Sequence, residues 1–348
     1  MGCKTLVAML CLATSALCSA QPHAWRVGVL YWSADIAGQV AMRQGLEQQV
    51  QRINQQAQTQ GLPGMELLVE VAGNGPQGVE RQINQMQRMV AQRLDAIIVQ
   101  PTDNAALAAP LRAANQAGIP VVAYDQYIRG GKLAAYVTSD NRQAGYLGGE
   151  YLAAQFAPGY TLRLVLVDYP MVSSTVERLN GFLDALRDQG RKVQVLKTYR
   201  AVSPEEGRQV GDAILRDFPH TGSVDAVFTV NDGGGLPVVE ALYRSGRHEI
   251  AVATVDGDPA SIDNLRHQRL TRINAAQFAG PMGALAASTT YALLRGEKVP
   301  AQQLVPTFPV TRETLARYPG WAGPIPADFY KPWPSKTPRW QGQVWGTP

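Results

Sequence analysis

Apolar residues in this chain fall in short runs separated by longer amphipathic stretches. Ala96 to Val99 is one such run, rich in β-branched residues and closed by Pro101, Asp103 and Asn104, which marks a buried strand. Leu107, Leu111, Ala114 and Ala117 then recur at helical spacing, and Gly118 with Pro120 supplies the stop. Pro120 to Ala123 reads as a second strand that ends at Tyr124 and Asp125. Strands joined through a helix run parallel and finish on one rim, so Gln100 and Asp125 are expected side by side. Ligands of open parallel sheets bind beyond that rim.

The same alternation extends in both directions. Arg26 to Trp32 reads as strand, Gln39 to Gln58 as a helix with Val40, Leu46, Val50 and Ile53 on one face, Met65 to Val71 as strand and Gln77 to Arg93 as helix. After a strand at Ala135 to Thr138 the pattern restarts. Helices from Arg142, Thr175, Pro204 and Leu236 alternate with strands Leu162 to Val167, Val193 to Tyr199, Ala226 to Val230 and Ile250 to Val255. A strand at Leu270 to Ala275, a close-packing alanine-rich helix at Pro281 to Arg295 and a strand at Leu304 to Val310 follow. From Tyr318 onward Pro, Gly and Trp dominate, which predicts an irregular extended tail packed by its aromatics. Two similar halves of alternating strands and helices predict an α/β protein of two doubly wound, Rossmann-like lobes with the site in the cleft between them.

A chain of 348 residues is long enough for two such cores. Its start, MGCKTLVAMLCLATSALCSAQ, carries Lys4, an apolar run and small residues at Cys18 and Ala20, the pattern of a secretory signal peptide cleaved after Ala20. Leu10 before Cys11 and Leu17 before Cys18 argue against lipidation. All three cysteines lie in that segment, so the mature chain is expected to have no disulfide, thiolate metal site or cysteine nucleophile. The net charge of +4 comes from scattered basic residues, which argues against a nucleic-acid partner.

Gly73, Gly75 and Gly78 spell GxGxxG. They follow the second strand rather than the first, and the next strand ends in Gln100 rather than an acid, so no dinucleotide cofactor is expected. There is no GxSxG elbow, HExxH helix or Walker loop, the four histidines are far apart, and no carboxylates are spaced for calcium. Neither an enzyme nor a metal site is expected.

Six strings occur in one order: VQPTDN at 99–104, AGIPVVAYD at 117–125, TSDN at 138–141, FTVND at 228–232, ATVDGDP at 253–259 and RGEKVP at 295–300. Over residues 25 to 312 the chain thereby resembles the type I periplasmic binding proteins, especially the ribose and galactose group. The resemblance implies two lobes joined by three crossovers, a non-enzymatic receptor and a monomer. Such a receptor closes over a sugar or polyol in the periplasm and delivers it to an ABC permease. The alternative is a sensor that docks on a membrane histidine kinase or chemoreceptor. The lobes implied are 21–138 with 278–305, and 139–277 with 306–317, between a signal peptide at 1–20 and a tail at 318–348.

Carried over residue by residue, the resemblance puts Asp125 on sugar hydroxyls and Asn231, Asp256 and Gln277 at matching positions of the second lobe and last hinge. Carboxylates accept from hydroxyls while amides both donate and accept, which suits a polyol. Trp32 falls where an aromatic contact against a sugar ring is common. Gln100 shares the rim with Asp125, and Gln126 stands where ribose binders use an arginine. Ribose binders also carry two phenylalanines where this chain has Gly38 and Gln39, and a second-lobe arginine that aligns with Val176. Arg178, two residues on, is expected to be structural. These departures point away from ribose itself. Asp256 before Gly257 is also a turn signal, and Asn231 is also a helix cap. Asp140 is read as an N-cap only.

Overall fold

The computed structural model describes residues 23–347, so the expected signal segment and its cysteines lie outside the described residues. Strands β1 (Trp25–Tyr31), β2 (Met65–Val71), β3 (Ala96–Val99), β4 (Val121–Tyr124) and β5 (Ala135–Ser139) alternate up to β4 with helices α1 (Ala37–Gln60), α2 (Gly75–Ala91) and α3 (Ala108–Gln116). The second half begins with α4 (Asn141–Gln155) and continues through β6 (Thr161–Asp168), α5 (Ser173–Asp188), β7 (Lys192–Arg200), α6 (Pro204–Asp217), β8 (Ala226–Thr229), α7 (Asp232–Arg244), β9 (Ala251–Asp256), α8 (Pro259–Arg266) and β10 (Thr271–Ala276). The chain then re-enters the first lobe for α9 (Ala279–Leu294) and β11 (Gln302–Val305), and returns to the second with β12 (Phe308–Thr311).

The sheets run β11-β5-β4-β3-β1-β2 and β12-β10-β9-β8-β6-β7, the same winding twice. They differ at the last strand, because β11 is parallel to β5 whereas β12 is antiparallel to β10. Strands β3, β4, β8 and most of β9 are buried on both faces, as helices on both sides of a parallel sheet require. The two α/β lobes expected from the alternation are therefore present, and three crossovers at 139–141, 276–279 and 305–308 join them.

The third crossover corrects one expectation. Leu304 to Val310 is not one strand but two, in different sheets. Pro306 has no N–H for a ladder, and the Thr307 N–H donates to Gln143 Oε1 at 3.0 Å instead of to a strand. Helices α2 and α9 also start two residues earlier than their patterns suggest, since Pro76 and Pro281 sit in first turns, where proline fits. Asp140 caps α4, accepting from the Gln143 N–H at 2.9 Å.

Helix pairs beside the cleft touch through glycine. A Cβ on Gly145 of α4 would overlap the carbonyl oxygen of Arg178 on α5, and one on Gly283 of α9 would overlap that of Met42 on α1. Gly145→Ala is thus expected to force α5 outward at a cost of about 1–3 kcal/mol, seen as a lower urea midpoint.

The tail is more ordered than its composition suggests. β13 (Phe329–Tyr330) and β14 (Arg339–Trp340) pair with each other, and β15 (Trp345–Thr347) adds antiparallel to β11 at the edge of the first-lobe sheet. Phe329, Trp333 and Trp340 are buried.

Candidate functional site

The carboxyl ends of the two sheets face each other across the cleft. Asp125 directly follows β4 and Asp256 ends β9, the fourth strand of each half. Their φ angles are 64° and 118°, both in the left-handed half of backbone space. Such backbone is uncommon outside glycine and clusters at functional sites, although Asp tolerates it better than most residues. Asp125 is pinned by its surroundings: its N–H donates to Val137 O at 2.8 Å, and its carbonyl accepts from Thr138 Oγ1 at 2.9 Å and Tyr136 Oη at 3.1 Å.

Between these residues lies a narrow slot, lined from the first lobe by Trp32, Ile36, Gln39, Met42, Asp125 and Gln126. The second lobe and the crossover contribute Val172, Ser174, Thr175, Arg178, Val202, Asn231, Asp256 and Gln277. A wider groove of about 1,060 Å³ runs along α7 and α8 on the second lobe. It lies away from the sheet rims, and its Glu240 and Arg244 pair with each other at 2.8 Å.

Arg178 holds the centre of the second-lobe wall. Its Nη1 donates to Asp256 Oδ1 and to Val230 O, each at 2.8 Å, and its Nε donates to Asn141 Oδ1 at 2.9 Å. The structural role expected for Arg178 is real, but the guanidinium also forms part of the slot. The reason is helical: α5 begins at Ser173, so Ser174 and Arg178 stand four residues apart on one face with Thr175 beside them.

The slot carries two carboxylates and one cation. Burial pushes the Asp125 carboxyl above the usual range, while Arg178 and the hydrogen bond from Gln100 pull it back. Asp256 is pushed up by burial as well, opposed by Arg178 and reinforced by Asp125. Behind it, fully buried Asp232 is raised by burial and by the charge of Asp256. Asp232 accepts from Thr254 Oγ1 (2.8 Å), Asn274 Nδ2 (2.8 Å), Gly257 N (3.0 Å) and Asp258 N (2.8 Å), and so fixes the turn after β9.

The other expected residues divide into four groups. Trp32 and Gln277 line the slot, and Gln277 Nε2 is buried with no hydrogen-bond partner among the described residues. Gln39 Oε1 is in the same condition. Asn231 lines the slot too, but its amide is already engaged: Oδ1 caps α7 at Gly234 N (3.1 Å) and Nδ2 donates to Val202 O (2.9 Å). Gln100 does not reach the wall. It lies behind Asp125, donating from Nε2 to Oδ2 at 2.9 Å and accepting from the Trp32 N–H at 3.4 Å.

Gln126 does a different job from a ligand arginine. Its Nε2 donates to Ser174 Oγ across the cleft at 2.7 Å, and its Oε1 accepts from Ser174 N at 3.2 Å. Asn104 Oδ1 accepts from Ser173 N at 2.9 Å, and the Tyr127 N–H donates to Ser173 Oγ at 3.1 Å. These bonds hold the lobes shut over the slot. Gln39, Ser174, Thr175 and Arg178 are the polar wall residues that sequence reasoning left out of the site.

Gly73 and Gly75 of the GxGxxG string form the turn from β2 into α2, at φ 89° and 69°, and Gly78 lies within α2. Among the described residues no cluster of three His, Cys, Asp or Glu is placed to hold a metal ion.

A family model described as a periplasmic binding protein domain matches residues 27–298. The ribose import binding protein of Bacillus subtilis is 28% identical over 261 residues, covering 75% of this chain and 78% of that one. A solute binding protein of Bacillus halodurans solved with bound myo-inositol superposes with a TM-score of 0.74 at 22% identity, over 85% of this chain and 97% of that one. One from Actinobacillus succinogenes with bound D-allose gives 0.71 at 23% identity, over 84% and 99%. These two structures bear on the fold alone.

Proposed function

The chain belongs to the periplasmic binding protein domain family, and we propose that it serves there as a periplasmic receptor that closes over a monosaccharide or polyol and delivers it to an ABC importer. One observation carries this: Asp125 from the first lobe and Asp256 from the second both line a single slot between the lobes. A ligand hydroxyl donates to either carboxylate in a charge-assisted bond. The free Nε2 of Gln277 and Oε1 of Gln39 supply the donor and acceptor that a polyol also needs, and Trp32 supplies an apolar face. Buried polar groups left without partners cost free energy, so a ligand rich in hydroxyls completes the wall.

The ligand-contacting residues in this reading are Trp32, Gln39, Asp125, Arg178, Asp256 and Gln277, with Asn231 shaping the wall. Gln100 orients Asp125, and Gln126 latches the lobes. No covalent step is involved. Delivery to an importer is favoured over sensing because relatives such as the ribose import binding protein of Bacillus subtilis are import proteins.

A thermal-shift screen with D-ribose, D-allose, myo-inositol and other hexoses and polyols tests the proposal. A true ligand at a hundredfold its dissociation constant is expected to add about 2.7 kcal/mol. A panel without any shift would remove the sugar reading.

A further inference from the structure

The family match ends at residue 298, yet the last thirty or so residues are woven into the hinge. The carbonyl of Asp256 accepts two hydrogen bonds, from Gln277 N at 2.9 Å and from Trp321 Nε1 at 2.8 Å. Trp321 gives its own carbonyl to the Gly280 N–H at 3.1 Å. Asp256 ends β9 in the second lobe, and Gly280 opens α9 in the first. A single tail residue therefore ties both lobes at the 276–279 crossover.

Farther along, Lys331 Nζ pairs with Glu150 Oε2 at 2.7 Å, with both side chains buried, and Trp333 Nε1 donates to the same oxygen at 3.0 Å. Trp340 Nε1 donates to Thr307 O at 2.7 Å in the 305–308 crossover. The tail is thus anchored on α4 and reaches two of the three crossovers before β15 joins the first-lobe sheet.

We infer that Trp321 is a positioning residue for the ligand site and that the tail braces the hinge through it; this rests on the slot between Asp125 and Asp256 being the ligand site. Asp256 has φ 118°, a conformation that surrounding contacts must hold in place. With both lone pairs of its carbonyl filled, the peptide after Asp256 cannot rotate without losing two hydrogen bonds. The direction of the Asp256 carboxylate and the placement of Gln277, which makes the other bond, are set together. Trp321 acts through these two residues and does not line the slot itself.

Trp340 offers a matched control, since its indole N–H also meets a crossover carbonyl but not that of a slot residue. The full-length Trp321→Phe and Trp340→Phe variants each keep a ring and lose the N–H. Calorimetric titration with D-ribose, D-allose and myo-inositol, and amide hydrogen exchange at Gln277 in ligand-free protein, are the readouts. From the net worth of one hydrogen bond, W321F is expected to bind about three- to tenfold more weakly and to exchange faster at Gln277 by a similar factor, while W340F stays within about twofold of the parent in both. Parent-like affinity and exchange in W321F, or equal losses in the two variants, would overturn the inference. If no member of the wider sugar and polyol panel binds the parent protein, the sugar reading fails on its own, and the exchange comparison still decides whether Trp321 holds Asp256.

Discussion

Replacing Arg178 with methionine is expected to abolish ligand binding and to destabilise the protein by about 3–5 kcal/mol, the usual cost of removing one partner from a buried ion pair. The guanidinium is 3% exposed and meets Asp256 Oδ1, Val230 O and Asn141 Oδ1. Methionine fills much of the volume but leaves all three acceptors without a donor. Asp256 and Asp125 would then face each other across the slot with Asp232 behind, and no cation between them.

The loss should depend on pH in a defined direction. Arg178 lowers the pKa of both Asp125 and Asp256 against the raising effect of burial. Without it, both folded-state values rise further above the unfolded value of roughly 3.9. A carboxyl whose folded pKa is raised destabilises the fold once it ionises, so the penalty is absent below the unfolded value and grows as pH climbs to the folded one. R178M should therefore recover part of its stability on going from pH 8 to pH 5, relative to the parent protein. Urea unfolding at the two pH values measures this, and a pH-independent difference would show that Asp256 does not depend on this cation.

Much of the scaffold was legible because parallel strands buried on both faces write continuous apolar runs. Ala96 to Val99 and Ala226 to Val230 needed only their length and flanking turn residues to be placed. The crossover from β3 to β4 put Gln100 and Asp125 on one rim, and their side chains do meet there. Chain order could not say which of the two faces the cleft. Gln100 turns back toward the Trp32 N–H, a choice made by the neighbouring strand β1 rather than by anything local.

Arg178 escaped for a related reason. Matching it against a family pattern stops at the residue type, whereas Ser174, Thr175 and Arg178 share a helix face that points into the cleft only because α5 packs against α4 through Gly145 and Gly181. The three-residue spacing was visible; the direction of the face was not. The tail is the largest gap. Its strands are two or three residues long, too short for any periodicity, and its order comes from partners far away in sequence, such as Glu150, Asp256 and Thr307. Tail composition announced aromatics in search of a surface without indicating which surface.

Asp125→Asn is expected to weaken ligand binding by about 10- to 100-fold while raising the stability of the ligand-free protein, and the two effects have one cause. The carboxylate is buried and receives one side-chain hydrogen bond, from Gln100 Nε2 at 2.9 Å, while the cleft's cation is already paired with Asp256 at 2.8 Å. A hydrogen bond to a charged group contributes about 1.5–3 kcal/mol, so the neutral amide forfeits most of what a ligand hydroxyl gains there. Asparagine is the informative choice because, unlike alanine, it tolerates the φ of 64° at this position, and its Oδ1 can still accept from Gln100. In the ligand-free state the substitution removes a carboxyl whose folded pKa lies above its unfolded value. Its ionisation costs nothing below the unfolded pKa and costs progressively more as pH rises through the folded one. The stability gain of D125N should therefore be largest at pH 8 and vanish toward pH 4, tracing the free energy that the parent protein sacrifices for its binding site. Thermal melts across this range, paired with calorimetric titration of whichever sugar the screen identifies, check both halves. Parent-like affinity would return Asp125 to the role of a strand-ending turn residue, and a pH-independent stability difference would mean that its carboxyl is not held at a raised pKa.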